Sequence, residues 1–258
     1  MKKENSGDFG LLTQLLALST PDAEAKIVRI ATKGMGTNEK LLYSVICGRS
    51  NEEMEILKKA YYKRYSKDLC SLISSELSGD LKQLAMRCLQ GMEEKLDPTY
   101  HTKCKAKEDA TAFYKAGQEK IFGTDEASLF DIICKAPPGY LEMVNRAYVN
   151  QYNVNMEHAL RKKFRGKAED AAIFHLNMKL HPYKTMAEHI KSTCAGLGTD
   201  EVGLSAAIVR CQNVLPRVMI EHTALFGKTL QDRVTSETKG DYEKLLLEMI
   251  RVAWPDAP

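Results

Sequence analysis

Apolar residues recur along this chain at intervals of three and four, with polar residues between them. Leu41, Leu42, Val45 and Ile46 form one stripe, and Met54, Leu57, Tyr61 and Tyr65 form the next. Leu69, Leu72 and Ile73 make a short third, and Leu81, Leu84, Ala85, Cys88 and Leu89 a fourth. Such spacing puts each set on one face of a helix. A further helix over 21–33, with Ile27 and Ile30 three apart, comes before them. Asn51 is placed to cap the helix that carries Met54. The result is a unit of five helices, with a break at Ser78-Gly79-Asp80 before the last.

The same succession returns twice. Phe113, then Leu129, Phe130, Ile132 and Ile133, then Leu141, Val144 and Tyr148, then Met156, Ala159 and Leu160 lead to a break at Arg165-Gly166-Lys167. Leu204 with Ile208, Leu215 with Val218, Leu230 with Val234, and Tyr242 with Leu245 and Met249 make the third copy, broken at Thr238-Lys239-Gly240-Asp241. Nowhere does the period-two alternation of a strand persist, so the predicted class is all-α. The units span 21–92, 108–180 and 181–254, and the polar stretch 93–107 reads as a linker. Residues 1–20 repeat the last-helix pattern, because Ser6-Gly7-Asp8-Phe9 with Leu11, Leu12, Leu15 and Leu16 parallels Ser78-Gly79-Asp80-Leu81. The chain is therefore expected to open on the final helix of another unit.

Composition narrows the function classes. At 258 residues, 44% hydrophobic and 28% charged, the chain can bury a substantial core. A formal net charge of +3 is too small to point to nucleic acid. Seven scattered Cys, with Cys47, Cys70, Cys88 and Cys134 among apolar helical residues, read as buried free thiols in a reducing compartment. The first residues lack a signal peptide's apolar core, and no apolar run approaches the roughly 20 residues of a membrane span. A cytoplasmic location and peripheral membrane contact are expected.

The chemistry lies between the helices. Lys33-Gly34-Met35-Gly36-Thr37-Asn38-Glu39 is matched by Gly196-Leu197-Gly198-Thr199-Asp200-Glu201, and Phe122-Gly123-Thr124-Asp125-Glu126 keeps the second half. Two glycines around one residue admit backbone conformations closed to other residues, and the Thr is placed as an N-cap. A turn with a cap would explain one such loop. The distant acids make a second reading: Glu76 lies three before Gly79 and 40 after Gly36, and Glu237 lies three before Gly240 and 39 after Gly198. If the two inter-helix loops adjoin, several loop carbonyls and one carboxylate converge, a hard all-oxygen set that suits Ca²⁺. It falls short of the six to eight ligands calcium takes, which leaves positions for water or a lipid phosphate. In the middle copy the matching position is Lys163, so that site reads as lost, with Lys163 a contact for lipid phosphate.

Glycine loops, acids some 40 residues on and repeated five-helix units resemble the annexins, over essentially the whole chain. The longer loop from Ala116-Gly117 to Glu126 resembles that of an annexin third repeat. The copies thus align with repeats two, three and four, and residues 1–20 with the end of repeat one. The resemblance implies a curved disc of five-helix repeats, shortened at the N-terminus. It implies calcium ligation by the carbonyls of Thr32, Gly34 and Gly36 with the Glu76 side chain, and by those of Cys194, Gly196 and Gly198 with Glu237. It also implies shallow membrane contact by Met35 and Leu197, with acidic phospholipids such as phosphatidylserine as the partner and no catalysis.

The alternative is an annexin-like cytoskeletal or structural protein, in contact with actin or another filament, whose membrane binding is weak or independent of calcium. Its support is the basic runs at Lys58-Lys59, Lys63-Arg64 and Arg161-Lys162-Lys163, which otherwise read as solvated helix faces. His101-x-x-Cys104 lacks the second pair that a zinc site needs. No EF-hand, Walker loop or hydrolase motif is present.

Overall fold

A computed structural model of the protein describes residues 7–118, 126–196 and 198–254. Its elements are helical: α1 (Gly7–Leu16), α2 (Thr20–Ala31), α3 (Glu39–Ile46), α4 (Asn51–Tyr65), α5 (Leu69–Glu76), α6 (Gly79–Gln90), α7 (Lys103–Gln118) and α8 (Glu126–Lys135). There follow α9 (Pro138–Tyr152), α10 (Met156–Lys163), α11 (Gly166–Leu180), α12 (Pro182–Thr193), α13 (Glu201–Cys211), α14 (Leu215–Phe226), α15 (Leu230–Glu237) and α16 (Gly240–Ala253), with a 3₁₀ turn at Gln212–Val214. The all-α class is as predicted, and no strand occurs among the described residues. No helix among them is long and apolar enough to cross a membrane.

The chain forms two compact units, one from residues 31–180 and one from 1–30 with 181–258. In the first, α7 packs on α8 and α9, and α6 on α8 and α11, while α3 lies against α11. Its core holds Ile46, Met54, Leu57, Tyr61, Phe113 and Phe130, residues of the predicted stripes. Phe130 stacks on Phe164 with ring centroids 4.7 Å apart. The buried Lys179 ammonium ties α11 to the end of α8, donating to the carbonyls of Ile133, Cys134 and Ala136 and pairing with Glu93 at 2.9 Å. A cation among the last carbonyls of a helix is favoured by their partial negative charge. In the second unit α12 packs on α13 and α14, and α1 lies against α13 and α16. Leu12, Leu15, Ile190, Leu204, Ile208, Val234 and Leu246 fill that core.

Several local expectations are corrected. Ser50, not Asn51, caps α4. Its hydroxyl accepts from the Glu53 amide and the Glu53 carboxylate accepts from the Ser50 amide, a reciprocal pair that fixes the helix start one residue earlier. Asn51 instead bonds both backbone groups of Glu93. The polar run from Lys103 to Lys107, expected within a linker, is the first turn of α7. The Thr102 hydroxyl accepts from the Lys105 amide there, and the charged residues face outward while Ala106 and Ala110 are buried. Cys47, Cys88 and Cys134 are buried free thiols, but Cys70 is half-exposed.

In the second unit α15 is pinned to α14 by a buried histidine. His222 donates from Nδ1 to the Lys228 carbonyl at 2.9 Å, and its Nε2 accepts from the Arg233 guanidinium at 2.6 Å. Burial first, then the cations of Arg233, Lys191 and Lys228, hold its pKa below the ordinary 6.5. The unfolded chain takes up this proton before the folded one does. His222 therefore contributes stability above that pH, and the contribution is lost as pH falls through 6.5 and below. We expect thermal melts between pH 7.5 and 5 to show a drop that is reduced in His222→Gln, whose amide does not titrate.

Candidate functional site

Three short helices set the geometry. α5, α10 and α15 each have eight residues, and they end on Glu76, Lys163 and Glu237 respectively. Their starts are fixed by the side chains of Asp68, Asn155 and Thr229, which accept from the amides of Ser71, His158 and Asp232. Their ends are fixed by a corner. Leu77, Phe164 and Thr238 are extended and buried, and the next helix opens on Gly79, Gly166 or Gly240 at φ between +55° and +69°. Gly7 opens α1 in the same way, at φ +77°.

The glycine loops are also built alike. The Asn38 amide donates to the Ala31 carbonyl at 2.8 Å, and the Asp200 amide donates to the Thr193 carbonyl at 2.7 Å. Each bond closes a loop across seven residues. Within the loops φ is +123° at Gly34, +90° at Gly36, +108° at Gly196 and +96° at Gly198. A Cβ at any of the four would meet nothing within 4 Å, so the need for glycine there comes from the backbone conformation and not from crowding. Met35 stands fully exposed at the tip of the first loop. Leu197 and residues 119–125, which include Gly123, lie outside the described residues.

Thr37 and Thr199 do not cap the following helices, as their position had suggested. Asn38 and Asp200 do, accepting from the amides of Leu41 and Gly203, because α3 and α13 start at Glu39 and Glu201. The threonines reach across to the other loop. Thr37 Oγ1 donates to Glu76 Oε2 at 2.6 Å, and Thr199 Oγ1 donates to the Glu237 carbonyl at 2.9 Å. Loop and acid thus adjoin in both copies. Thr32 and Cys194 are buried at the bases of the loops. Burial, with the Glu237 charge adding to it, pushes the Cys194 thiol pKa up.

The annexin family model matches residues 22–87, 108–173 and 185–249. The chain belongs to the annexin family. It is 32% identical to human annexin A3 over 96% of its own length and 76% of that protein's. It is 30% identical to annexin A13 of Schistosoma japonicum, over 98% of this chain and 77% of the relative. The solved structure of annexin III superposes with a TM-score of 0.87 at 30% identity, covering 95% of this chain and 76% of that one.

Within this annexin the acids stand at an unusual place. Glu76 and Glu237 are the last residues of α5 and α15, and neither helix has a basic residue in its last turn. A carboxylate beside the negative end of a helix is disfavoured by about 0.3–1 kcal/mol, and a bound cation would reverse the sign. In the middle repeat the matching helix ends in Arg161, Lys162 and Lys163, the arrangement that the helix dipole favours.

Lys163 does not stand out as a contact for lipid phosphate. Its side chain is nearly buried, and its ammonium lies 3.5 Å from Glu126, the first residue of α8. Asp80 faces the same pair. Its carboxyl pKa is raised by burial and by the Glu126 charge, and Lys163 opposes the rise. Sequence reasoning singled out Lys163 but missed its partner. The available signal was the acid three residues after each loop glycine, present as Glu39, Glu126 and Glu201. Elsewhere, His101 accepts from the Asp97 amide and faces Glu94, while the exposed Cys104 turns to Glu108, so the two do not converge on a metal. Removing the ammonium by Lys163→Gln leaves Glu126 facing Asp80. We expect urea denaturation of that variant to show a loss of about 1–3 kcal/mol.

Proposed function

We propose that this annexin binds acidic phospholipid membranes through calcium held at two of its inter-helix corners, with no catalytic step. In the first corner the carbonyls of Thr32, Gly34 and Gly36 and the Glu76 carboxylate ligate the ion. In the second, Cys194, Gly196 and Gly198 supply carbonyls and Glu237 the carboxylate. Calcium takes six to eight oxygens, so each set leaves positions for water and a lipid phosphate oxygen. The ion is thereby a bridge between protein and headgroup. Met35, and by its position Leu197, enters the headgroup layer. We assign the three repeats to 21–92, 108–180 and 181–254, with 93–107 between the first two, as the second to fourth of an annexin, and residues 1–20 to the end of the first. The protein is cytoplasmic in this reading and peripheral on membranes when calcium rises.

The observation that supports this most directly is the Thr37–Glu76 bond. It sets a carboxylate at the wrong end of a helix beside a loop of two positive-φ glycines. The cytoskeletal alternative draws less support, because the basic runs are in part engaged by neighbours, as Lys58 with Glu55 and Arg161 with Glu157.

The test is sedimentation with phosphatidylserine vesicles, in calcium and in chelator, for the wild type and for Glu76→Gln/Glu237→Gln. Calcium-dependent sedimentation should be lost in the double variant while its helical circular dichroism is kept. Undiminished binding by that variant would overturn the site assignment. Cosedimentation with actin filaments independent of calcium would favour the cytoskeletal reading. Thermal melts separate ligation from folding. In chelator the double variant should melt at or slightly above the wild type, since an unfavourable charge is gone from two helix ends. Calcium should raise the wild type's melting temperature and leave the variant's unchanged.

A further inference from the structure

The unit of residues 31–180 holds a second constellation that the calcium reading leaves unused. Cys47, Cys88 and His175 place one ligand atom each within 4.8 Å of one another, the one such His/Cys/Asp/Glu group found among the described residues. The Cys134 thiol lies near enough to interact with both Cys88 and His175, though outside that 4.8 Å group. All four residues are buried. They come from four different places: the turn after α3, the end of α6, the end of α8 and the middle of α11.

The histidine is presented as a metal ligand would be. Nε2 lies 3.2 Å from the Ile133 carbonyl, so it carries the proton and donates it there. Nδ1 carries the lone pair; it accepts from the Gly48 amide at 3.1 Å and lies 3.4 Å from Cys88 Sγ, so a metal taking this nitrogen displaces the Gly48 bond. A ring nitrogen fixed by a backbone carbonyl on its far side is the usual outer-shell arrangement around a ligating imidazole. Zinc bonds of about 2.3 Å to sulfur and about 2.0 Å to nitrogen, at a tetrahedral angle, put those atoms about 3.5 Å apart. Cys47 is brought in by a close approach: Gly48 sits at φ +71°, and a Cβ there would come within 2.2 Å of Met178 Cβ. The Lys179 ammonium, paired with Glu93, lies one turn on from His175.

We propose that Cys47, Cys88 and Nδ1 of His175 bind one structural zinc ion in this unit, with the Cys134 thiol turning in as the fourth ligand. Binding converts three thiols to thiolates and releases three protons, which leaves a complex of charge −1 beside the Lys179 ammonium. A Cys₃His set with no open position makes a structural and not a hydrolytic centre. Its effect would be to clamp α3 and α6 of one repeat to α8 and α11 of the next.

The test uses the full chain purified under reducing conditions without chelator. Elemental analysis should find one zinc per chain, released by a mercurial thiol reagent. Cobalt added to the stripped protein should give the thiolate-to-cobalt charge-transfer absorption and the ligand-field bands of a tetrahedral site. Both signals should fall to background in Cys88→Ala and Cys47→Ala. They should persist in Cys70→Ala and in Glu76→Gln/Glu237→Gln, whose altered residues lie outside the cluster. Wild-type protein that holds no zinc and shows no charge-transfer band with cobalt overturns the proposal, whatever the variants do. So does bound zinc that survives Cys88→Ala or yields an oxygen-ligated cobalt spectrum, as does recovery of the thiols as a disulfide.

Discussion

The corner after each of the helices α5, α10 and α15 is the constraint on which the rest depends. A side-chain cap fixes where the helix starts, a buried extended residue fixes where it stops, and a positive-φ glycine opens the next helix. Whatever residue ends the short helix is thereby held beside the loop before α3 or α13 and, in the middle repeat, beside the first residue of α8. In two corners that residue is glutamate and in one it is lysine. The backbone fixes the position, and a single side chain fixes its charge.

That charge decides what the corner needs. A glutamate at a helix C-terminus sits against the partial negative charge of the last carbonyls, and more carbonyls come from a glycine loop closed by one amide. Such a place is short of positive charge in the metal-free protein. The Thr37 hydroxyl relieves it in part, donating to Glu76. At Glu237 the corresponding hydroxyl goes to the backbone carbonyl, and the carboxylate acts instead on the neighbouring Cys194 thiol. The two corners share a plan but differ in how the acid is held. Glu76 is already oriented by a side-chain donor, which would leave less ordering for the proposed ion.

Much of this was legible in the chain. Helical stripes are local, and Leu41, Leu42, Val45 and Ile46 are buried as their spacing requires. The loop glycines were legible because positive φ excludes other residues, and the acids because their distance from the loop recurs. What escaped was decided by competition or by tertiary convergence. Thr37 and Asn38 are both good caps. The helix start at Glu39 selected Asn38 and freed Thr37 to cross between loops. Ser50 displaced Asn51 because Glu53 completes a reciprocal pair. The thiols of Cys47, Cys88 and Cys134 have no mutual spacing to notice. They meet because their helices pack, and the group of Cys47, Cys88 and His175 spans 129 residues of chain.

The middle repeat shows what the other two lack. Lys163 puts a covalently attached cation where Glu76 and Glu237 put carboxylates, and it meets Glu126 at 3.5 Å with Asp80 close by. Its ammonium agrees with the helix dipole and pairs with the first-turn acid of α8, so this corner carries a cation of its own. The exchange works because an ammonium on a four-carbon stem is a mobile point charge that can settle between two carboxylates. Glu39 and Glu201 match Glu126 in position, yet their corners supply a carboxylate in place of that ammonium. The same fold thus builds one corner that carries its own cation and two that place a carboxylate there, where the proposed calcium would supply the opposite charge.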